Sequence, residues 1–121
     1  MPLHQMQKVA AMTQTPELML TALIAGHFLC DYPLQGDFLS KAKNRASPIP
    51  GVPWYQALGA HSFIHGAFVA LLTGIWWLGA LEASIHWLTD DAKCRGRLTF
   101  NQDQAIHIIC KLAWFAVWWL P

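Results

Sequence analysis

Charge is what this sequence has least of. Asp, Glu, Lys and Arg together make up 12% of the residues, against about a quarter in ordinary soluble domains. Between Ala46 and Leu81 none of the four occurs. So long a run exceeds the roughly 20 apolar residues that cross a bilayer. The net charge is +1 and there is no basic tail, so nothing points to nucleic acid as a partner. Cysteine is scarce as well. Cys30, Cys94 and Cys110 are too scattered for a zinc knuckle or a redox pair, and their odd number argues against a disulfide framework. The opening "MPLHQMQKVAAMTQTP" lacks the apolar run of a leader peptide, so no cleaved leader is expected. Also missing are an adjacent His-Asp dyad, HExxH, GxSxG and a Walker loop, which removes four common hydrolase and nucleotide-binding designs. Internal repeats and low-complexity tracts are absent too.

Apolar surface, by contrast, is plentiful: 55% of the residues are hydrophobic and seven are tryptophan. A core built from 121 residues cannot hide that much. The expectation is therefore an all-α integral membrane protein, a single transmembrane domain over residues 1–121. Four short transmembrane helices are read at about 16–33, 56–73, 75–91 and 103–120, in an up-down-up-down four-helix bundle. Thr15, Pro16 and Glu17 give the first span a cap, an N1 proline and a charge suited to the helix dipole, and Pro33 kinks or ends it. One helix over residues 57–90 would be about 51 Å long, so a tight hairpin is placed at Thr73–Gly74. Trp76, Trp77, Trp87, Trp114, Trp118 and Trp119 read as interfacial anchors and lipid-facing packing. Lys41, Lys43, Arg45, Lys93, Arg95 and Arg97 fall in the two loops on one side. The positive-inside rule makes that side of the inner membrane cytoplasmic, with both termini outside.

Set into this apolar chain is a series of polar pairs at spacing four: His27 and Asp31, His61 and His65, His86 and Asp90, Asp103 and His107. Glu82 extends the third pair by one turn. Residues four apart share a helix face, and the alternating helices bring all four pairs to one depth near the cytoplasmic face. The hairpin sets His61 level with His86 and His65 level with Glu82. Imidazole with carboxylate suits zinc, iron, manganese or nickel, and so many donors fit one or two divalent ions. Ferritin-like di-iron bundles use spacing three instead. A hydrogen-bonded polar network and a proton relay are the competing readings of the same residues. Lys111, one turn beyond His107, is expected to face the interior and pair with Glu82 or another buried carboxylate, because neither charge stays ionised alone at that depth without large cost.

The stretches "GHFLCDYPLQGDFLSKAK", "HSFIHG", "HWLTDDAK" and "DQAIH", in that order, give the chain a resemblance to a known family. It resembles the small membrane proteins grouped as domain of unknown function 3307, found in bacteria and their phages, over nearly its whole length. The resemblance implies a helical membrane fold and a metal site. On the matched positions His27, Asp31, His61, His65, His86, Asp90, Asp103 and His107 would be ligands. Gln35, Asp37 and Lys41 would line the mouth, with Lys93, Gln104 and Lys111 around the site. Pro33 stands where the family carries an aliphatic residue. A looser likeness to membrane-bound metal-dependent hydrolases implies hydrolysis by analogy. The expected function is then metal-assisted hydrolysis of a lipid or lipid-linked phosphate, with Glu82 or Asp90 taking the proton of the attacking water. The rival readings are a metal or proton conduit, which needs a homo-oligomer, and a phage accessory protein that binds a host membrane protein.

Overall fold

The computed structural model of the chain describes residues 1–6 and 15–121. Half of the stretch expected to lack a leader run, residues 7–14, lies outside the described residues. Apart from helical residues 3–6, the described residues form five helices and no strand. Helix α1 (Pro16–Asp31) begins where its sequence signals lie: the Thr15 hydroxyl accepts a hydrogen bond from the Leu18 N–H at 3.3 Å, and Pro16 takes the first position. A short helix, α2 (Gly36–Ala42), follows the Pro33 turn. Helices α3 (Trp54–Thr73) and α4 (Trp76–Cys94) form a hairpin whose turn is made by Gly74 in the left-handed region, φ 71°. Helix α5 (Phe100–Trp119) opens with a reciprocal capping box between Thr99 and Gln102.

The four long helices close into a ring. Helices α1 and α4 each pack against both α3 and α5, while α2 lies against α3. The tightest contact is inside the hairpin. A Cβ added at Gly66 would come within 2.5 Å of the Gly79 carbonyl oxygen and 2.8 Å of Ala83 Cβ, and one at Gly79 would meet Gly66 in the same way. Only glycine at both positions lets the two backbones approach so closely. Apolar packing is concentrated near the hairpin turn, where Met19, Leu23, Val69, Leu78 and Trp114 are buried together. Toward the other end the ring turns its histidines and carboxylates inward.

Among the described residues no helix is long and apolar enough to cross a membrane. That overturns the expected integral membrane protein and its bundle of four transmembrane helices. The inner-membrane location, the outside termini and the cytoplasmic depth of the site fall with it. The charge-free run from Ala46 to Leu81 misled because it is not one element. It covers non-helical residues 46–53, helix α3, the Gly74 turn and only the start of α4. Helix α1 has 16 residues, about 24 Å at the α-helical rise against a hydrocarbon core of about 30 Å. Helices α4 and α5 each bury several ionisable groups, Glu82, Asp90, Asp91, Asp103 and Lys111 among them. The surplus apolar side chains stand on the outside of the ring, with Leu71 83% and Trp76 77% exposed. Trp114 departs from the expected role of a lipid-facing anchor: it is buried and donates to a carboxylate. The polar loop after Pro33 is also more ordered than expected, since α2 forms within it.

Candidate metal centre

The last turns of α1 and α4 and the first turns of α3 and α5 meet at one level, which is why pairs spaced by four on separate helices converge. The glycine-lined approach of α3 to α4 then stacks His65 on His86, ring centroids 3.6 Å apart. His107 stacks on the other side of His86 at 4.0 Å. The hairpin puts His61 opposite His86, their Nε2 atoms 3.1 Å apart. His65 meets His86 and Asp31 rather than Glu82, which lies a turn deeper.

Asp31 Oδ1 is the hub on one side. It lies 2.9 Å from His65 Nε2, 3.2 Å from His61 Nε2 and 3.8 Å from His86 Nε2. Asp90 is the hub on the other, with Oδ1 2.9 Å from His107 Nε2 and 3.5 Å from His86 Nε2, and Oδ2 3.3 Å from His61 Nε2. Among the described residues two groups hold their donor atoms close enough for one ion: Asp31, His61, His65 and His86, and then His86, Asp90 and His107. All but Asp31, at 9% exposure, are essentially sealed from solvent.

The eight residues expected as ligands are thus gathered, yet two take other roles. His27 Nε2–H donates to Gln104 Oε1 at 3.0 Å, and Gln104 Nε2 donates to Asp31 Oδ2 at 2.8 Å. That relay orients Asp31, and His27 stands outside both donor groups. Asp103 also stands outside them. Its Oδ1 is 3.3 Å from His107 Nε2 but off the N–H direction, so the atom is buried without a hydrogen-bond partner. Gln35 donates to the Asp31 carbonyl at 3.0 Å. Lys93 reaches Asp103 Oδ2 at 3.4 Å. Asp37 and Lys41 form an exposed ion pair on α2 at 2.8 Å, outside the buried cluster; Asp37 lines the cleft over Asp31, as expected of the mouth, and Lys41 does not.

Below the histidines, Lys111 Nζ donates to Glu82 Oε1 at 2.6 Å and the Trp114 indole donates to Oε2 at 2.6 Å. Glu82 thus has both carboxylate oxygens engaged and stands outside the two donor groups. It lies beneath His86 instead, Oε1 3.3 Å from Nδ1, near enough for attraction though the geometry is not that of a hydrogen bond. Two further participants escaped the sequence reading. Lys43 is buried with its ammonium on Asp90 Oδ2, and Arg45 grips Asp91 with two nitrogens. Trp114 was findable, three residues beyond Lys111 on the face that carries Asp103 and His107. Lys43 offered no such signal, because it sits among loop cations that the topology rule already explained.

Electrostatics divide the cluster. Burial pushes the His65 imidazole down to about 3, outweighing the pull of Asp31, and burial lowers His27 as well. Burial also opposes ionisation of Asp31, but hydrogen bonds from His61 and His65 overcome it and hold the carboxyl well below the usual range. Asp90 is held low in the same way, chiefly by His107 against the effect of burial. For His107 burial is again the opposing force, and the Asp103 and Asp90 carboxylates raise the imidazole to about 9. So the Asp31 side combines an ionised carboxylate with a neutral imidazole, the protonation states that metal binding demands. The His107 side is satisfied by a proton.

A cleft of about 370 Å³ opens over Asp31 between the end of α1, α2 and the start of α5, lined among others by Tyr32, Gln35, Ser40, Lys93 and Gln104. These features define an all-helical protein whose interior gathers five imidazoles around three carboxylates. The chain belongs to the DUF3307 family, described as a protein of unknown function, which matches residues 19–120. No match was found among curated proteins or solved structures. The family description names no activity and no host, so the hydrolytic reading stands on the chemistry of the site.

Proposed function

We propose that this protein binds a divalent transition metal through Asp31, His61, His65 and His86 and uses it for hydrolysis. One observation carries the reading. Metal–ligand bonds of about 2.0–2.1 Å place the corners of a tetrahedron about 3.3 Å apart. The donor atoms here stand 2.9, 3.1, 3.2 and 3.8 Å apart in the contacts that link them. The donor set of three imidazoles and one carboxylate suits zinc, iron or manganese.

A bound ion supplies Lewis acidity and lowers the pKa of a water molecule on it. The chain's own residues supply the rest. Asp90, an ionised carboxylate beside His61 and His86, accepts the proton of the attacking water. Gln104 and His27 fix the orientation of Asp31. The cleft over Asp31 admits the substrate, and Lys93 at its wall gives the charge that receives an anionic group such as a phosphate. Glu82, tied to Lys111 and Trp114, holds the base of the site.

The test is elemental analysis of protein purified without chelators. At least about one equivalent of zinc, iron or manganese is expected, lost in His65→Ala and in His86→Ala. Metal-free protein that also fails to take up any of the three on dialysis would overturn the reading in favour of a hydrogen-bonded network.

A further inference from the structure

Lys43 closes the first stretch that carries the family resemblance without having been given a role there, yet the residue is 2% exposed and its ammonium donates to both Asp90 Oδ2 and Gln35 Oε1. It reaches the cluster from the end of α2, the helix outside the ring. Two residues on, Arg45 holds Asp91, and its guanidinium lies 4.6 Å over the Trp54 ring. Adjacent carboxylates on α4 thus grip two cations of one short segment. The Lys43 side chain is fixed in place rather than folded back from solvent.

The two donor groups share His86. A neutral imidazole offers one lone pair at Nε2, so His86 serves one ion at a time. With His86 on the Asp31 side, a second ion would depend on Asp90 and His107, and Lys43 already sits on Asp90. Formal charge points the same way. Lys43 and Lys93 already set two positive charges against Asp90 and Asp103, while Glu82 and Lys111 cancel. A second divalent ion would add two further positive charges to an interior that already holds the first, an arrangement that desolvation heavily disfavours.

Resting on the metal reading above, we infer that the centre is mononuclear because Lys43 occupies the place of the second cation. Its ammonium neutralises Asp90 from the side away from His107 and keeps the carboxylate beside His61 and His86. Lys43 is then a positioning residue, and removing its charge converts the centre to one that takes two ions.

The experiment uses the full chain, saturated with Mn²⁺, freed of excess ion by gel filtration, and read by metal content and electron paramagnetic resonance. Wild type is expected to hold about one equivalent with the spectrum of an isolated ion. Lys43→Met should rise to about two equivalents with the spectrum of a spin-coupled pair, whose ions sit about 3.5–4 Å apart. Lys43→Arg should stay at about one. Wild type saturating at two coupled ions overturns the inference, as does a folded Lys43→Met protein that still holds one. Should Lys43→Met not fold, Lys43→Gln, which keeps a donor for Asp90 without the charge, is read against the same two outcomes. Wild type that binds no ion removes the metal reading itself, a result distinct from the two-ion result, which removes only the role given to Lys43.

Discussion

At the hairpin end of the ring, Met19, Leu23, Val69, Leu78 and Trp114 pack side chain on side chain, and nothing there asks for a partner. At the other end Asp31, His61, His65, His86, Asp90, Asp103 and His107 are buried just as completely, and their donor atoms crowd toward common points. Between the two lies a thin layer in which Glu82 is fully paired with Lys111 and Trp114. The contrast separates two ways of keeping polar groups inside a protein. A satisfied group such as Glu82 is structural and complete. A set of nitrogens and carboxylate oxygens converging on common points is one that could hold a cation.

Metal removal should therefore have the largest effect, and at one end only. An ion at about 1,000 times its Kd adds about 4 kcal/mol to folding, or roughly 15 °C in Tm for a chain of this size. Scanning calorimetry with and without chelator measures it. His65→Ala should abolish the difference, while Leu23→Ala in the apolar end should lower both curves and leave the gap intact. A gap that shrinks equally in both variants would mean the two ends are not separable.

Next in size is the middle layer. Lys111→Met leaves Glu82 with an uncompensated buried charge and should cost about 3 kcal/mol or more. Adding Glu82→Gln should recover part of that loss in urea unfolding, whereas additive losses would show that the two residues are uncoupled. Metal content should stay at the wild-type value in the double variant, because neither residue belongs to a donor group. A drop in metal content would move this layer into the site.

Much of this arrangement was legible in the sequence, and the reasons for the rest are specific. Thr15, Pro16 and Gly74 mark a start and a turn by local chemistry that packing does not override. The spacing of four put each His/Asp pair on one face, and the hairpin brought His61 to His86. Spacing does not fix helix rotation, however. Which donors converge, and that His27 and Asp103 instead flank them, is settled by packing. Lys43 was hidden because cations in a loop carry no period that singles one out. The membrane reading failed because absence of charge was counted across a loop, a helix and a turn as though they were one segment.

Smaller again is the effect of closing the gap between α3 and α4. Gly79→Ala drives a methyl group into the Gly66 carbonyl, and the forced separation should cost about 1–3 kcal/mol. Because the same contact stacks His65 on His86, metal affinity should fall as well, by about tenfold for each 1.4 kcal/mol of ligand displacement. Calorimetric titration with zinc checks this. Lost stability with unchanged affinity would show that the ligands are held by something other than the hairpin.

The smallest effect is also the finest test of the contrast between the ends. Helices α1 and α5 are both capped by a threonine, Thr15 on Leu18 and Thr99 on Gln102, so each Thr→Ala change removes the same kind of bond and should cost about 1 kcal/mol. Their positions differ. Thr15 caps the end of α1 remote from His27 and Asp31, at the apolar side of the ring. Thr99 begins the turn that carries Asp103 and Gln104, with His107 one turn further on. Fraying there loosens the Gln104 hold on Asp31 and the His107 contact with Asp90. Thr99→Ala should therefore weaken zinc binding severalfold, within the factor of about 5 that 1 kcal/mol allows, while Thr15→Ala leaves it unchanged. Equal losses of affinity in the two variants would mean that the ring transmits disorder from end to end, and the polar layer could no longer be treated as a site supported independently of the apolar core.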